Sequence, residues 1–366
     1  MMNALRDITA AGTSIWLDDL SRERLSGSLA QYIEEFQIRG VTTNPAIFSA
    51  AISGSDLYRA DITRLAQEGL SAVEIIEELT TDDVRRACDL FEKLFHSSGG
   101  ADGRVSIEVD PGLARDTEGT IREGLALSQK VSRPNLLVKV PATKEGLPAI
   151  TQLTESGVSI NVTLIFSISR YREVIDAYMQ GLERRLATGE EISSIHSVAS
   201  FFVSRVDTEV DAQLTRLDHE PRAAEFRGKA AVANAVLAYR LFEEQVAGDR
   251  WRKLRGSGAN LQRPLWASTG VKDPSYRPTL YVDTLIAPNT VNTMPDSTLK
   301  ATSLLERMPE KSITDSYEES EKVVSNLASL GIDLEDVAVK LESEGLKKFL
   351  DPWLALSESV KSVMHS

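Results

Sequence analysis

Lys139 sits near the end of an apolar run, Asn135-Leu-Leu-Val-Lys-Val-Pro141. Such a run reads as a strand buried on both faces, and a buried ammonium must be paired or give up its proton. Desolvation favours the neutral amine, and a neutral lysine can add to a carbonyl to form a Schiff base. A lysine in this place can also snorkel from the strand end to solvent, or neutralise a buried acid. The strand alone leaves these readings open.

Polar residues recur at comparable places in other apolar runs. Asp18 ends Ser14-Ile-Trp-Leu-Asp18, and Glu108 is next to last in Val105-Ser-Ile-Glu-Val109. Asn161 and Thr163 lie two apart in Val158-Ser-Ile-Asn-Val-Thr-Leu164, so they share one face of a strand. Ser268 ends Pro264-Leu-Trp-Ala-Ser268. Each has a plain alternative: Asp18 or Asp19 as a helix cap, Glu108 as an ion-pair partner only, Asn161 and Thr163 as ties to loop backbone. As a set they describe one chemistry. A lysine amine adds to a ketone to give a carbinolamine, which loses water to an imine. Glu108 would move the protons through a water held by Thr163. Asp18 would take a proton from a substrate hydroxyl and trigger carbon–carbon cleavage. Asn44 and Asn161 carry the donors and acceptors to orient a polyhydroxylated chain. This chemistry requires neither metal nor organic cofactor.

Converging these groups requires elements that alternate strand and helix. Strand candidates are Ser14–Asp18, a short end at Gly40–Pro45, Val105–Val109, Asn135–Val140, Val158–Leu164, Ser197–Val203, Pro264–Ser268, and Thr279–Asp283 continuing to Ile286. Helical patterns lie between them: 23–36, 56–67, 71–78, 82–95, 117–130, 143–156, 169–185, 206–217 and 223–246. Arg250–Gln262 reads as a surface connection, with Gly256-Ser-Gly-Ala-Asn260 a turn. Amphipathic helices close the chain, with Asp333 a plausible start and Lys347/Lys348 toward an end. This order implies parallel βαβ units, and about eight strands without a dinucleotide loop favour an α/β fold of the (β/α)8 TIM-barrel type. The chain exceeds the ~250 residues typical of that barrel, so additional helices are expected on one domain spanning 1–366. Barrel sites form at the C-terminal ends of the strands, where these polar groups stand.

Composition narrows the partners. The 366 residues carry 54 acidic and 41 basic side chains, a formal charge of −13 that disfavours nucleic acid and anionic membranes. No apolar run reaches membrane-spanning length, and the N-terminal segment lacks a signal-peptide core. The lone Cys88 excludes an internal disulfide, reads as a small apolar residue on a helix face, and fits a cytoplasmic location. His96, His196, His219 and His365 show no metal-ligand spacing. Monomer and homodimer are both compatible with the sequence.

An ordered set of segments resembles the transaldolase family: Trp16-Leu-Asp-Asp-Leu-Ser-Arg22, Gly40-Val-Thr-Thr-Asn-Pro-Ala-Ile-Phe48, Ser106-Ile-Glu-Val-Asp110, Asn135 to Thr143, Gly146-Leu-Pro-Ala-Ile150, Asn161 to Ser167, Ala199-Ser-Phe-Phe-Val-Ser-Arg205 and Leu265-Trp-Ala-Ser-Thr-Gly270. The resemblance implies a cofactor-free barrel enzyme of the pentose phosphate pathway acting on sugar phosphates. It would move a dihydroxyacetone unit from sedoheptulose 7-phosphate to glyceraldehyde 3-phosphate. It implies Lys139 as Schiff-base lysine, Asp18 as the acid/base in cleavage, and Glu108 with Thr163 around a catalytic water. It further implies Asn44, Asn161 and Ser200 around the dihydroxyacetone unit, Phe202 as an aromatic wall, and Arg205 and Ser268 at the phosphate. Many bacterial members carry an arginine two residues after the serine matching Ser268; here Gly270 stands there, and Lys272 is the expected replacement cation. The competing readings are a Schiff-base aldolase that cleaves fructose 6-phosphate without an acceptor, and a barrel that only binds a sugar phosphate.

Overall fold

The computed structural model describes residues 4–217, 220, 222–306 and 313–365; His219 lies outside them. Eight parallel strands close into a barrel in sequence order: β1 (Thr13–Leu17), β2 (Gly40–Val41), β3 (Arg104–Glu108), β4 (Leu136–Pro141), β5 (Ile160–Ile165), β6 (Ser197–Phe202), β7 (Gln262–Ala267) and β8 (Thr290–Met294). The first helices are α1 (Ala4–Ala10), α2 (Leu29–Glu35), α3 (Pro45–Ser53), α4 (Arg59–Gln67) and α5 (Ala72–Ser97). Next come α6 (Thr117–Val131), α7 (Gly146–Glu155), α8 (Ile168–Ala187), α9 (Ser204–Arg216) and α10 (Ala230–Ala247). The last are α11 (Asp249–Gly256), α12 (Leu280–Asp283), α13 (Asp296–Ser303), α14 (Tyr317–Ser329) and α15 (Leu334–Met364). This is the (β/α)8 architecture with additional helices. Among the described residues no helix is long and apolar enough to cross a membrane.

The register sets the heights of inward side chains. Glu108 pairs with Lys139 across β3 and β4, and Lys139 pairs with Asn161 across β4 and β5. Three polar groups from three strands therefore stand in one row. Pro141 pairs with Thr163, one inward position higher. Every residue of β4 is buried, lysine included. Helices start where side chains supply the missing backbone partners: Asn44 caps α3 with Pro45 at the first helical position, and Ser71 and Glu74 form a reciprocal capping box on α5.

The structure corrects several sequence expectations. The eighth strand is Thr290–Met294, not Thr279–Ile286. In the latter segment Leu280–Asp283 forms a short helix. Thr279 and Arg277 donate to Asp283, and Tyr281 donates to Asp207, so polar ties hold the apolar segment in a turn against the barrel. The two helices expected at 71–78 and 82–95 are one, because the hydroxyls of Thr80 and Thr81 donate back to the carbonyls of Ile76 and Glu77 instead of breaking the run. The stretch Arg250–Gln262 holds most of α11 and the first residue of β7 rather than a plain connection. Asp333 caps α15 as expected, but that helix continues past Lys347 and Lys348 to Met364, with Leu356 and Val360 buried beneath it. Cys88 is buried on α5, and burial pushes its thiol up to about 12.

A tight approach at the barrel wall is Gly40 in the two-residue β2. A Cβ there would lie 2.6 Å from the Trp16 ring and 2.7 Å from the Arg104 carbonyl oxygen. Gly40→Ala is therefore expected to cost about 1–3 kcal/mol by overpacking. Urea unfolding should show a lower midpoint at unchanged slope; an unchanged midpoint would contradict this packing.

Candidate active site

Lys139 and Glu108 meet inside the C-terminal end of the barrel. Lys139 Nζ donates to Glu108 Oε2 at 3.2 Å and to the Thr43 carbonyl at 2.9 Å, and the two side chains are only 6% and 3% exposed. A pair so dry stands only if each charge is compensated. Burial pushes the Glu108 carboxyl up to about 7, against the pull of Lys139, which stabilises its anion. Asp18, directly after β1, is also raised by burial; Lys139, the Thr42 hydroxyl and Arg205 work the other way. Thr42 Oγ1 donates to Asp18 Oδ1 at 2.7 Å and contacts Thr293 Oγ1 at 2.6 Å. Asp18 does not cap the following helix, and Asp19 pairs with Arg24 instead. Two carboxylates, an amine and a guanidinium thus share one electrostatic environment.

Asn161 is fully buried and locked on both sides. Its Nδ2 donates to Ser106 Oγ at 3.0 Å, and its Oδ1 accepts from Ser200 Oγ at 2.7 Å. Thr163 is fully buried too, and its hydroxyl and Glu108 Oε1 have no hydrogen-bond partner among the described residues. Buried polar atoms are rarely left so, and two at one end of the barrel mark a place built for a polar guest. Directly after Thr163, Leu164 adopts φ +60°, and the β5–β6 register shifts between Val162 and Ile165. Ser268, after β7, has φ +57°. A left-handed non-glycine residue carries strain of about 1–3 kcal/mol, a cost concentrated at working sites.

Arg205 opens α9, and its guanidinium lies over the Phe202 ring at 5.2 Å; Phe202 packs on Phe166. Burial lowers the Arg205 pKa, opposed by Asp18 and Glu344, and its Nη1 has no hydrogen-bond partner among the described residues. Ser268 Oγ contacts Ser204 Oγ at 3.0 Å, which brings the ends of β6 and β7 together. Asn44 is divided in use: its Oδ1 caps α3 by accepting from the Ile47 N–H. With Glu108, Glu123 and Trp353 it lines a small pocket beside β3. Lys272 is exposed and lines a different depression with Asp207, Asp211, Arg227, Tyr276 and Tyr281. Among the described residues no group of three or more His, Cys, Asp or Glu side chains is arranged to hold a metal ion.

Sequence reasoning did not pick out Thr42 or Ser106, although both are polar residues in or directly after a barrel strand, the same signal as Thr163. Nor did it find the contribution of α15. That helix brings Phe349 over Lys139, with Nζ 5.4 Å from the ring centroid. It also brings Trp353, whose Nε1 donates to Asp110 Oδ2 at 3.1 Å. Glu123 accepts the Asp110 N–H with both oxygens and is pushed up to about 7 by burial, so the β3 loop is fixed from two sides.

With this geometry in place, comparison with known proteins is informative. The family profile described as Transaldolase/Fructose-6-phosphate aldolase matches residues 15–360. A transaldolase of Mycolicibacterium smegmatis is 52% identical over 99% of this chain and 98% of its own. Transaldolase 1 of Streptomyces avermitilis is 51% identical over 99% of this chain and 96% of its own. A transaldolase of Acidothermus cellulolyticus is 52% identical over 98% of this chain and 96% of its own.

Proposed function

The chain belongs to the transaldolase/fructose-6-phosphate aldolase family, and we propose that it transfers a dihydroxyacetone unit between sugar phosphates through an imine on Lys139. The donor is sedoheptulose 7-phosphate and the acceptor glyceraldehyde 3-phosphate, giving erythrose 4-phosphate and fructose 6-phosphate, a reversible step of the pentose phosphate pathway. The observation that carries this reading is the dry Lys139–Glu108 pair with Asp18 in its field. The reading also treats the chain as one barrel domain.

Lys139 Nζ attacks the C2 carbonyl of the ketose, and the carbinolamine loses water as Glu108 shuttles protons. The unpartnered Glu108 Oε1 and Thr163 Oγ1 supply the acceptor and the hydroxyl to hold the water in that shuttle. Asp18 takes the proton of the C4 hydroxyl; the C3–C4 bond breaks, the electron pair moves into the C2 imine, and the aldehyde phosphate leaves. The remaining enamine attacks the second aldehyde by the reverse steps. Burial raises the Asp18 carboxyl, which favours its taking up a proton in cleavage and returning it in the reverse steps. Asn161, held by Ser106 and Ser200, presents a fixed amide to the hydroxyls of the triose unit, and Asn44, whose Oδ1 caps α3, offers its Nδ2 for the same purpose. Phe202 walls the site. Arg205 is the principal phosphate group, with Ser268 beside it. Lys272 is a secondary cation, since it sits in a depression lined by acids.

Incubating the enzyme with fructose 6-phosphate and erythrose 4-phosphate should yield sedoheptulose 7-phosphate and glyceraldehyde 3-phosphate. Lys139→Ala should lower that rate by at least about a thousandfold, as expected when a covalent route is removed. Free dihydroxyacetone as the main product would instead favour the aldolase reading. The pH dependence of kcat/KM should rise through a limb near 7 as the Glu108 carboxyl ionises. Glu108→Gln should abolish that limb and lower kcat on the order of a hundredfold or more. A limb that survives in Glu108→Gln assigns the titration to another group. Arg205→Ala should raise KM for both phosphorylated substrates about tenfold or more, and Lys272→Ala only about two- to threefold. Equal effects of the two would contradict this ranking, and wild-type KM values in Lys272→Ala would remove that residue from the site.

A further inference from the structure

The longest helix of the protein packs along α3, α4 and α5 and also crosses the end of the barrel where the site lies. α15 is tied at its start, where Ser169 Oγ donates to Glu335 at 2.6 Å and Lys340 Nζ donates to Glu209 at 2.6 Å. Its middle presses closest at Gly345, where a Cβ would come within 2.9 Å of Leu164 Cδ2 and 3.5 Å of Arg205 Nη1. Its far part is tied by Trp353 to Asp110, the loop after β3. The helix therefore reaches from the ends of β5 and β6 to the end of β3, straddling the site. Pro352 interrupts it between Phe349 and Trp353 and removes one backbone hydrogen bond there.

What the helix brings to the site is an aromatic ring. Phe349 is 4% exposed and its face lies over Lys139 Nζ. Two of the three ammonium donors go to Thr43 and Glu108. Carbonyl, carboxylate and ring thus cover three sides of the nitrogen, and the ring is the one side that offers water no hydrogen bond. An aromatic face there attracts the cation before reaction. Once the nitrogen is covalently bound, the same ring closes its own side to water, and the shuttle water stays on the opposite side with Glu108 and Thr163.

That matters at one step of the reaction. After cleavage, the triose unit remains on Lys139 as an enamine. It can attack an aldehyde, which is transfer. Alternatively its C3 takes a proton to give the iminium, water adds at C2, and the C2–N bond breaks, freeing dihydroxyacetone and the amine. Hydrolysis at C2 ends both routes, since the new ketose also leaves Lys139 by addition of water; protonation of the enamine carbon C3, by water or a group equilibrated with it, belongs to release alone. We propose that Phe349 is a positioning residue that keeps water from protonating the enamine held on Lys139 and so sets the ratio of transfer to release. This rests on the Schiff-base reading above. The bland alternative is that Phe349 only packs α15 onto the barrel.

The test measures free dihydroxyacetone released and sedoheptulose 7-phosphate formed, from fructose 6-phosphate with and without erythrose 4-phosphate, in the full-length protein. Phe349→Ala should raise the release-to-transfer ratio on the order of tenfold, because water exclusion is what the ring supplies. Phe349→Leu, which keeps apolar bulk, should raise it by less, about two- to threefold. Borohydride reduction with fructose 6-phosphate should still fix the triose unit on both variants. A wild-type protein that cannot be trapped would sink the Schiff-base reading itself. Trapped, folded Phe349→Ala with a wild-type ratio overturns the role of Phe349 alone, even if both rates fall. Should Phe349→Ala not fold, Phe349→Leu decides: a raised ratio supports the proposal and a wild-type ratio overturns it.

Discussion

An ammonium group in the middle of an otherwise apolar buried strand constrains everything around it. Lys139 can occupy β4 only because a carboxylate and a backbone carbonyl reach its nitrogen. Breaking such a pair by removing one partner costs about 3–5 kcal/mol, since a bare charge is left in a dry site. The barrel meets this demand through register: β3, β4 and β5 align Glu108, Lys139 and Asn161 in one row. A one-residue slip of β3 would turn Glu108 outward and leave the lysine unpaired. The fold and the chemistry therefore depend on the same pairings.

The neighbouring groups follow from that row. Asp18 and Glu108 are both raised by burial, and both are moderated by the same lysine. Burial raises both carboxylates toward holding a proton, and the shared lysine pulls both back, so each is shifted for accepting and returning a proton. Leu164 and Ser268 hold left-handed backbone at this end, and Glu108 Oε1, Thr163 Oγ1 and Arg205 Nη1 stand there without a hydrogen-bond partner among the described residues. α15 then closes the arrangement with an apolar face. Around the Lys139 nitrogen the strand ends contribute a carboxylate and a carbonyl, and α15 contributes the apolar face of Phe349.

Much of this was legible in the sequence, for a physical reason. A barrel strand alternates inward and outward residues, so a charge at an inward position of an apolar run stands out, as Lys139, Glu108, Asn161 and Thr163 do. β8 did not stand out because Thr290-Val-Asn-Thr-Met294 is itself polar; the Asn292 Nδ2 donates to the Tyr281 carbonyl, and the Thr293 hydroxyl contacts that of Thr42. The apolar Thr279–Ile286 run took its place in the reading, although side chains of α9 and of its own turn hold it short of a strand. α3 was hidden by Pro45, which reads as a break and serves as a first helical residue. The covering role of Phe349 left no trace, because helical periodicity marks a buried face but not what lies beneath it. The contact joins residues that only the closed fold brings together.

The central claim is that Lys139, uniquely, carries the substrate as a covalent imine. Reducing the protein with borohydride in the presence of fructose 6-phosphate, then measuring intact mass and mapping the modified peptide, tests it most directly. The account predicts a single reduced three-carbon adduct on Lys139, absent in Lys139→Ala. No adduct on the wild-type protein, or one that persists in Lys139→Ala, would contradict it.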